Sequence, residues 1–203
     1  SDTYLQGSLG LVDDETMYRI NAFDWEKGFP RAMAAGGFDA VIGNPPYIRI
    51  QAMKEYAPQE VEFYKQRYAA ASKGNYDIYV VFVEKGLGLL RPEGRLGYIL
   101  PHKFFNAQYG APLRGLIAQG KHLGEVVHFG DQQVFADATT YTCLLFLDKA
   151  GRDSFRVEKV SDLAAWRERQ VTKEAAPGDT VGELPASGLD ASEWNFVVGR
   201  AGS

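Results

Sequence analysis

The chain has 203 residues, enough for one ordinary domain with a sizeable core. Hydrophobic residues make up 45% and charged residues 24%, a globular composition that excludes a disordered chain. The net charge of -4, taken alone, speaks against a nucleic-acid partner, and the longest apolar run, Cys143-Leu144-Leu145-Phe146-Leu147, is far too short to span a bilayer.

Ser1-Asp2-Thr3-Tyr4 carries neither the basic residue nor the apolar core of a signal peptide. The single cysteine, Cys143, excludes an intramolecular disulfide framework and a multi-cysteine zinc site. A reducing, cytoplasmic location with no membrane partner is expected. Charge is unevenly spread: residues 49–114 hold ten Lys and Arg against six Asp and Glu, a local +4 between two flanks of -4 each.

In chain order, residues 1–15 read as a loop or loosely held terminus with an acidic cluster at Asp13-Asp14-Glu15. Residues 17–23 alternate weakly, as a short strand does, and Gly36-Gly37 is a break signal. Phe38-Asp39-Ala40-Val41-Ile42-Gly43 then reads as a short buried strand stopped by Asn44-Pro45-Pro46. Residues 59–71, rich in helix formers, predict a helix. Residues 76–90 place Ile78, Val81, Phe82 and Leu89 at the spacing of an amphipathic helix, despite Gly86 and Gly88.

Arg91-Pro92-Glu93-Gly94 predicts a turn, and residues 95–100 a buried strand ended by Pro101. Residues 113–119 read as a short helix; residues 123–129, 141–147 and 155–160 read as three more strands. After Asp179 the chain becomes Gly-, Pro- and Ser-rich around an isolated Trp194-Asn195-Phe196, which reads as a linker. The alternation of strand and helix is that of an α/β sheet. It divides the chain into an N-terminal approach (1–37), a core with the Asn-Pro-Pro-Tyr corner (38–160), and a helix and linker (161–203).

The chemistry lies in Asn44-Pro45-Pro46-Tyr47. A buried strand delivers this corner at its carboxyl end, where open α/β sheets bind ligands. The prolines fix φ and donate no backbone N–H, so their carbonyls can face outward as bare acceptors. Beside such a carbonyl, the Asn44 side-chain oxygen completes a pair of acceptors that suits the two N–H groups of an exocyclic amine. Tyr47 offers a flat face for a planar ring. The alternative is a Pro-Pro turn closing a strand, with Tyr47 as packing.

With its downstream partners the corner resembles the S-adenosylmethionine-dependent DNA adenine N6-methyltransferases, particularly those of restriction-modification systems in which modification and cleavage can share one polypeptide. The resemblance runs over residues 21–149. It includes Tyr76-Asp77-Ile78-Tyr79-Val80-Val81-Phe82, then Leu89-Leu90-Arg91-Pro92-Glu93-Gly94 up to Pro101, and closes on Gln133-Val134-Phe135-Ala136 up to Thr142. It implies an α/β fold, the second half of a Rossmann-like methyltransferase sheet.

The resemblance further implies a target adenine flipped out of double-stranded DNA, at a cost of a few kcal/mol. Asn44 would accept one N6 hydrogen through its side chain and Pro45 the other through its carbonyl, with Pro46 holding the corner rigid. Tyr47 and Phe135 would stack on the two faces of the base, each such contact contributing on the order of 1–3 kcal/mol. Phe82 and Asp24 match positions near the cofactor adenine. Core packing accounts equally well for Phe82, and a helix N-terminal role equally well for Asp24 beside Trp25. For Phe135, packing before a strand is the alternative.

His102 with Lys103 reads as a solvated loop, and His122 and His128 are too dispersed for a metal site. Cys143 reads as core. Gly86-Leu87-Gly88 follows no strand and is not a phosphate loop. A protein glutamine N5-methyltransferase with a similar corner, and a non-catalytic binding module, remain as other readings.

The sequence departs from the resemblance upstream of Asp39, where no glycine-rich cofactor turn and no strand ending in an acidic ribose ligand are found. A target-recognition domain is also missing. The chain is therefore expected to be a fragment of a longer enzyme, acting on DNA through the full-length protein, with the 38–43 strand left unpaired along one edge. Calorimetric titration of the 203-residue chain with S-adenosylmethionine is expected to show no micromolar binding.

Overall fold

The computed structural model describes residues 15, 18, 21–135, 140–172 and 178–198. Six strands form one sheet in the order β1-β2-β4-β3-β5-β6. They are β1 (Phe38–Gly43), β2 (Leu90–Pro101), β3 (Leu123–His128), β4 (Thr142–Asp148), β5 (Ser154–Lys159) and β6 (Thr180–Pro185). β1 pairs parallel with β2, and β3 parallel with β5. β4 returns antiparallel between β2 and β3, and β6 is antiparallel to β5. β1, β2, β3 and β5 thus point one way, and their carboxyl ends share one edge.

Two short helices, α1 (Trp25–Gly28) and α2 (Pro30–Ala34), precede β1. Between β1 and β2 lie α3 (Ile50–Tyr56), α4 (Pro58–Arg67) and α5 (Tyr79–Leu89). α6 (Ala111–Gln119) joins β2 to β3, and α7 (Leu163–Thr172) joins β5 to β6. Strand alternation sends Leu96, Leu100, Cys143, Leu145, Phe155 and Val157 to one face, where they are buried with the apolar side of α5 and with Leu113 and Ile117 of α6. Each such side chain contributes about 1.5–3 kcal/mol on burial.

α5 approaches the sheet closely at Tyr98. A Cβ on Gly86 would lie 2.6 Å from the Tyr98 hydroxyl, and one on Gly43 of β1 would lie 3.1 Å from its ring. Helix propensity is lower at Gly86, but the contact permits no side chain there.

Among the described residues the other face is covered only toward β3 and β5. There Trp166 of α7 packs on Phe129, with ring centroids 5.1 Å apart. A chain of ion pairs runs from Glu125 through Arg156, Glu158 and Arg169 to Asp179. Burial raises the Glu158 carboxyl, but hydrogen bonds from Arg156 and Arg169 outweigh it and hold the group below the ordinary glutamate value. Toward β1 this face is open, and Ile42 is 86% exposed.

The helix over 76–90, the short helix over 113–119 and the strands of the core match their expected places to within a few residues. Of residues 17–23, those described contain no strand; Tyr18 is helical and Asn21 lies in a turn. The turn expected at residues 91–94 is absorbed into β2. Leu90 pairs with Phe38 and Arg95 with Ala40, so the residues between bulge out of the ladder. β1 has one hydrogen-bonded neighbour in the described sheet.

The largest difference lies after Asp179. The segment read as a linker forms β6 on β5 and then a strap across the core. The Trp194 backbone N–H donates to the Phe105 carbonyl at 2.9 Å, and its indole N–H to the Asp190 carbonyl at 2.9 Å. Phe196 meets Phe105 and Phe155 edge to face. Arg114, buried beneath, donates to the carbonyls of Phe104, Ala107 and Ala191. Gly, Pro and Ser content marks irregular backbone, but two buried aromatic rings make that backbone part of the core. No helix among the described residues is long and apolar enough to cross a membrane.

Trp194→Ala is expected to lower the unfolding free energy by about 3–5 kcal/mol, read by urea denaturation. Val197→Ala, at an exposed neighbour, is expected to change it by less than about 0.5 kcal/mol.

Candidate active site

β1 ends at Gly43, and Asn44 emerges at the shared carboxyl edge. Asn44 and Pro46 are exposed, Pro45 is buried, and Tyr47 is partly buried against the core. The Tyr47 hydroxyl faces two acceptors. It lies 2.6 Å from Asn44 Oδ1 and 3.2 Å from the Ile99 carbonyl on the neighbouring β2. Burial, with a smaller contribution from the Cys143 thiol, pushes the Tyr47 hydroxyl up to about 12. The group therefore stays protonated near neutrality and donates. An amide oxygen has two lone pairs, so Asn44 Oδ1 can hold this bond and still accept from an incoming amine.

The chain after the corner is clamped. Ile50 N–H donates to the Tyr76 carbonyl at 3.0 Å, and Ile78 N–H to the Ile48 carbonyl at 2.8 Å, around an antiparallel bridge of Arg49 with Asp77. This bridge brings the start of α5 beneath the corner. The Tyr47 and Tyr79 rings meet edge to face, 6.5 Å between centroids and 84° between planes.

Neighbouring loops fill the same edge. His102–Phe105 is a 3-10 turn with Phe104 and Phe105 buried, so His102 is not in a solvated loop. Its ring lies 4.3 Å from that of His128, the last residue of β3. His128 Nδ1 accepts from Gly130 N–H at 2.9 Å, and His102 Nε2 lies 3.3 Å from the Gly130 carbonyl. Burial, then the neighbouring His102 and Lys159, depresses His128 to about 4. Burial also lowers His102 and His122.

The remaining expected site residues fall at three places. Phe135, 37% exposed, follows β3, three strand spacings or about 14 Å across the sheet from β1. Its loop leans away from the corner: Arg167 of α7 donates to the Val134 carbonyl, and Gln132 donates to Val160 and accepts from Leu163. Among the described residues Phe135 makes no ring contact with Tyr47, and residues 136–139 lie outside them. Phe82 lies one turn into α5, about 4.5 Å along the helix from Tyr79, and is 38% exposed.

Asp24 caps α1, accepting from Lys27 N–H at 3.0 Å. Trp25 beside it packs on Phe38, the first residue of β1, under Lys85. That puts Asp24 near the amino end of a strand about 17 Å long whose other end carries Asn44. Asp24 thus lies at the other end of β1 from Asn44, whereas Phe82 shares α5 with Tyr79. Cys143 is fully buried core, and Gly86 and Gly88 are interior to α5.

Spacing did not mark the Ile99 carbonyl or Tyr79 as neighbours of Tyr47. The only available signal was a tyrosine on the buried side of an apolar helix.

Residues 3–135 match the family described as Eco57I restriction-modification methylase. The chain is 38% identical over 159 residues to the type II restriction enzyme and methyltransferase RM.Eco57I of Escherichia coli, an alignment covering 78% of this chain and 15% of that protein. It is 35% identical over 130 residues to the type II methyltransferase M.PaeR7I of Pseudomonas aeruginosa, covering 64% of this chain and 22% of the relative. The chain thus spans less than a quarter of the length of these two relatives.

Among solved structures, the methyltransferase subunit of a type I restriction-modification system from Streptococcus thermophilus superposes with a TM-score of 0.52 at 15% identity, covering 81% of this chain and 37% of that one. The type IIG restriction endonuclease BpuSI gives 0.50 at 14% identity, with 72% and 19% covered. At such identities the likeness is one of fold.

His128 is neutral in the folded state down to about pH 4, whereas an unfolded histidine takes up a proton near 6.5. Between those values the unfolded chain binds more protons, so stability present above 6.5 is lost as pH falls. Proton NMR should find the His128 ring titrating near pH 4, and His128→Phe should flatten the decline in stability between pH 6.5 and 4.

Proposed function

We propose that this chain, which belongs to the Eco57I restriction-modification methylase family, contributes the base-binding part of an enzyme that methylates DNA at the N6 amine of a flipped adenine. The observation that carries this reading is the Asn44 side chain, exposed at the carboxyl edge with its amide oxygen held by Tyr47. Such a fixed acceptor suits an exocyclic amine better than a hydroxyl or a carboxylate does.

When bound, S-adenosylmethionine supplies a methyl group on a positively charged sulfur, open to direct displacement. Asp24 and Phe82 would hold its adenine, and the other roles assigned to this chain concern the base. Asn44 Oδ1 accepts one N6 hydrogen and draws the nitrogen lone pair out of the ring. The Pro45 carbonyl accepts the other, with Pro46 keeping the turn rigid. With its lone pair so directed, the N6 amine would be the nucleophile toward the methyl group that S-adenosylmethionine would supply, and its surplus proton would pass to water. The Tyr47 ring supports one face of the base, and Phe135 would reach the other after its loop moves. Double-stranded DNA is the partner of the full-length enzyme, and the cytoplasm its compartment.

Asn44→Ala in the full-length enzyme is expected to lower kcat by roughly 10²-fold or more, the scale for losing one fixed charge-stabilising group. Methyl transfer to duplex oligonucleotides is followed by mass spectrometry of the released nucleosides. N6-methyladenine is the expected product; methylation confined to cytosine, or to a glutamine-bearing protein, would sink the reading.

A further inference from the structure

Beneath Tyr47 lies a polar chain, running from a buried tyrosine to a half-buried carboxylate, that the corner's chemistry does not use. Tyr79, fully buried, places its hydroxyl 2.8 Å from that of Tyr109. The Tyr109 hydroxyl donates to Asp77 Oδ2 at 3.0 Å. A hydroxyl has one proton, so the direction of the chain is determined: Tyr79 donates to Tyr109, and Tyr109 donates to the Asp77 carboxylate. Burial pushes both phenols upward, so neither loses its proton.

The chain is anchored at both ends. Asp77 forms the backbone bridge with Arg49, two residues after Tyr47. The Tyr79 ring is wedged edge to face between Phe104, at 6.2 Å, and Tyr47, at 6.5 Å. A packed phenylalanine would fill this space without a buried hydroxyl to satisfy, and leaving such a hydroxyl unsatisfied is costly. What the hydroxyls add is orientation, because a hydrogen-bonded phenol cannot slide or tilt as a phenyl ring can.

We propose that Asp77, Tyr109 and Tyr79 are positioning residues that set the tilt of the Tyr47 ring, and through it the placement of the stacked adenine. The proposal rests on the base-stacking role assigned to Tyr47 above. The carboxylate fixes Tyr109, Tyr109 fixes Tyr79, and the Tyr79 edge fixes the plane on which the base rests. None of the three touches the reacting atoms.

The test uses the full-length enzyme that carries this chain, with Tyr79→Phe, Tyr109→Phe, Asp77→Ala and Asp77→Asn, and Val61→Ala as a core truncation in α4, which carries none of the three residues. Tyr79→Phe and Tyr109→Phe are expected to lower kcat roughly tenfold, the scale of a small misplacement of reacting groups, with the KM for S-adenosylmethionine unchanged. Asp77→Ala should do the same, and Asp77→Asn, which keeps an acceptor for Tyr109, should restore most of the rate. With 2-aminopurine at the target position, emission from the bound complex should shift in the slow variants and not in Asp77→Asn.

Wild-type kcat and emission in Tyr109→Phe and Asp77→Ala would overturn the proposal. So would a loss in Val61→Ala equal to theirs at the same drop in melting temperature, since that makes the effect one of stability. If Tyr79→Phe does not fold, the Tyr109 and Asp77 variants decide. Failure of the wild-type enzyme to methylate adenine overturns the proposed function instead.

Discussion

Tyr98 stands where β1, β2 and α5 meet, and the room left for it by Gly43 and Gly86 is the constraint on which the rest of the site depends. The ring pairs through its backbone with Gly43 across the parallel β1–β2 ladder, so it also marks the last register position before the corner. A Cβ at Gly86 would displace the Tyr98 hydroxyl and the Leu96 side chain, and one at Gly43 would crowd the Tyr98 ring. With both absent, α5 descends directly behind β1, its first turn comes to lie under Asn44-Pro45-Pro46-Tyr47, and Tyr79 reaches the Tyr47 ring. β1 has a single hydrogen-bonded neighbour, so no other strand of the described sheet could hold the corner in place.

The direction of the strands does the rest. β4 runs antiparallel between β2 and β3, which keeps β3 and β5 parallel to β1 and sends their carboxyl ends to the same edge. Had β3 paired directly with β2 in a hairpin, the segment after it would emerge at the opposite edge. The His102–His128 contact, the Gly130 turn and Phe135 all gather at this edge for that reason. Gathering is not contact, however. Phe135 shares the edge with Tyr47 but belongs to a loop tied toward α7, and Asp24 sits by Phe38 at the other end of β1.

Several elements were legible because their signal is local. The Phe38–Gly43 strand has an apolar run and a double-proline stop, and α5 has helical spacing over two turns. The failures share a cause. β6 looks like linker because half of a strand's signal is the partner it pairs with, and β5 is about 25 residues upstream. Trp194 and Phe196 look isolated in a polar stretch, yet their neighbours are Phe105 and Phe155. Residues 91–94 contain Pro and Gly and read as a turn, but β1 on one side lets them bulge within a continuous strand. His102 follows a strand-ending proline and looks solvated, and only the arrival of β3 across β4 brings His128 against it.

Net charge misleads for a related reason. The overall -4 already sets Glu125, Glu158 and Asp179 against Arg156 and Arg169, a paired cluster on one face of the sheet, and it hides the local +4 of residues 49–114, which hold the corner's flank and α5. By itself the sequence determined the chemical identity of the corner: an amide oxygen, two residues with no N–H to donate, and an aromatic ring, delivered by a strand. Those are covalent facts carried by consecutive residues. Only the tertiary structure decided that the tyrosine hydroxyl is shared between Asn44 and the Ile99 carbonyl, and that Asp77, Tyr109 and Tyr79 lie behind the ring. Apart from the Tyr47–Asn44 bond, those contacts join residues 30 to 52 positions apart, and no local pattern specifies which strand will stand beside which.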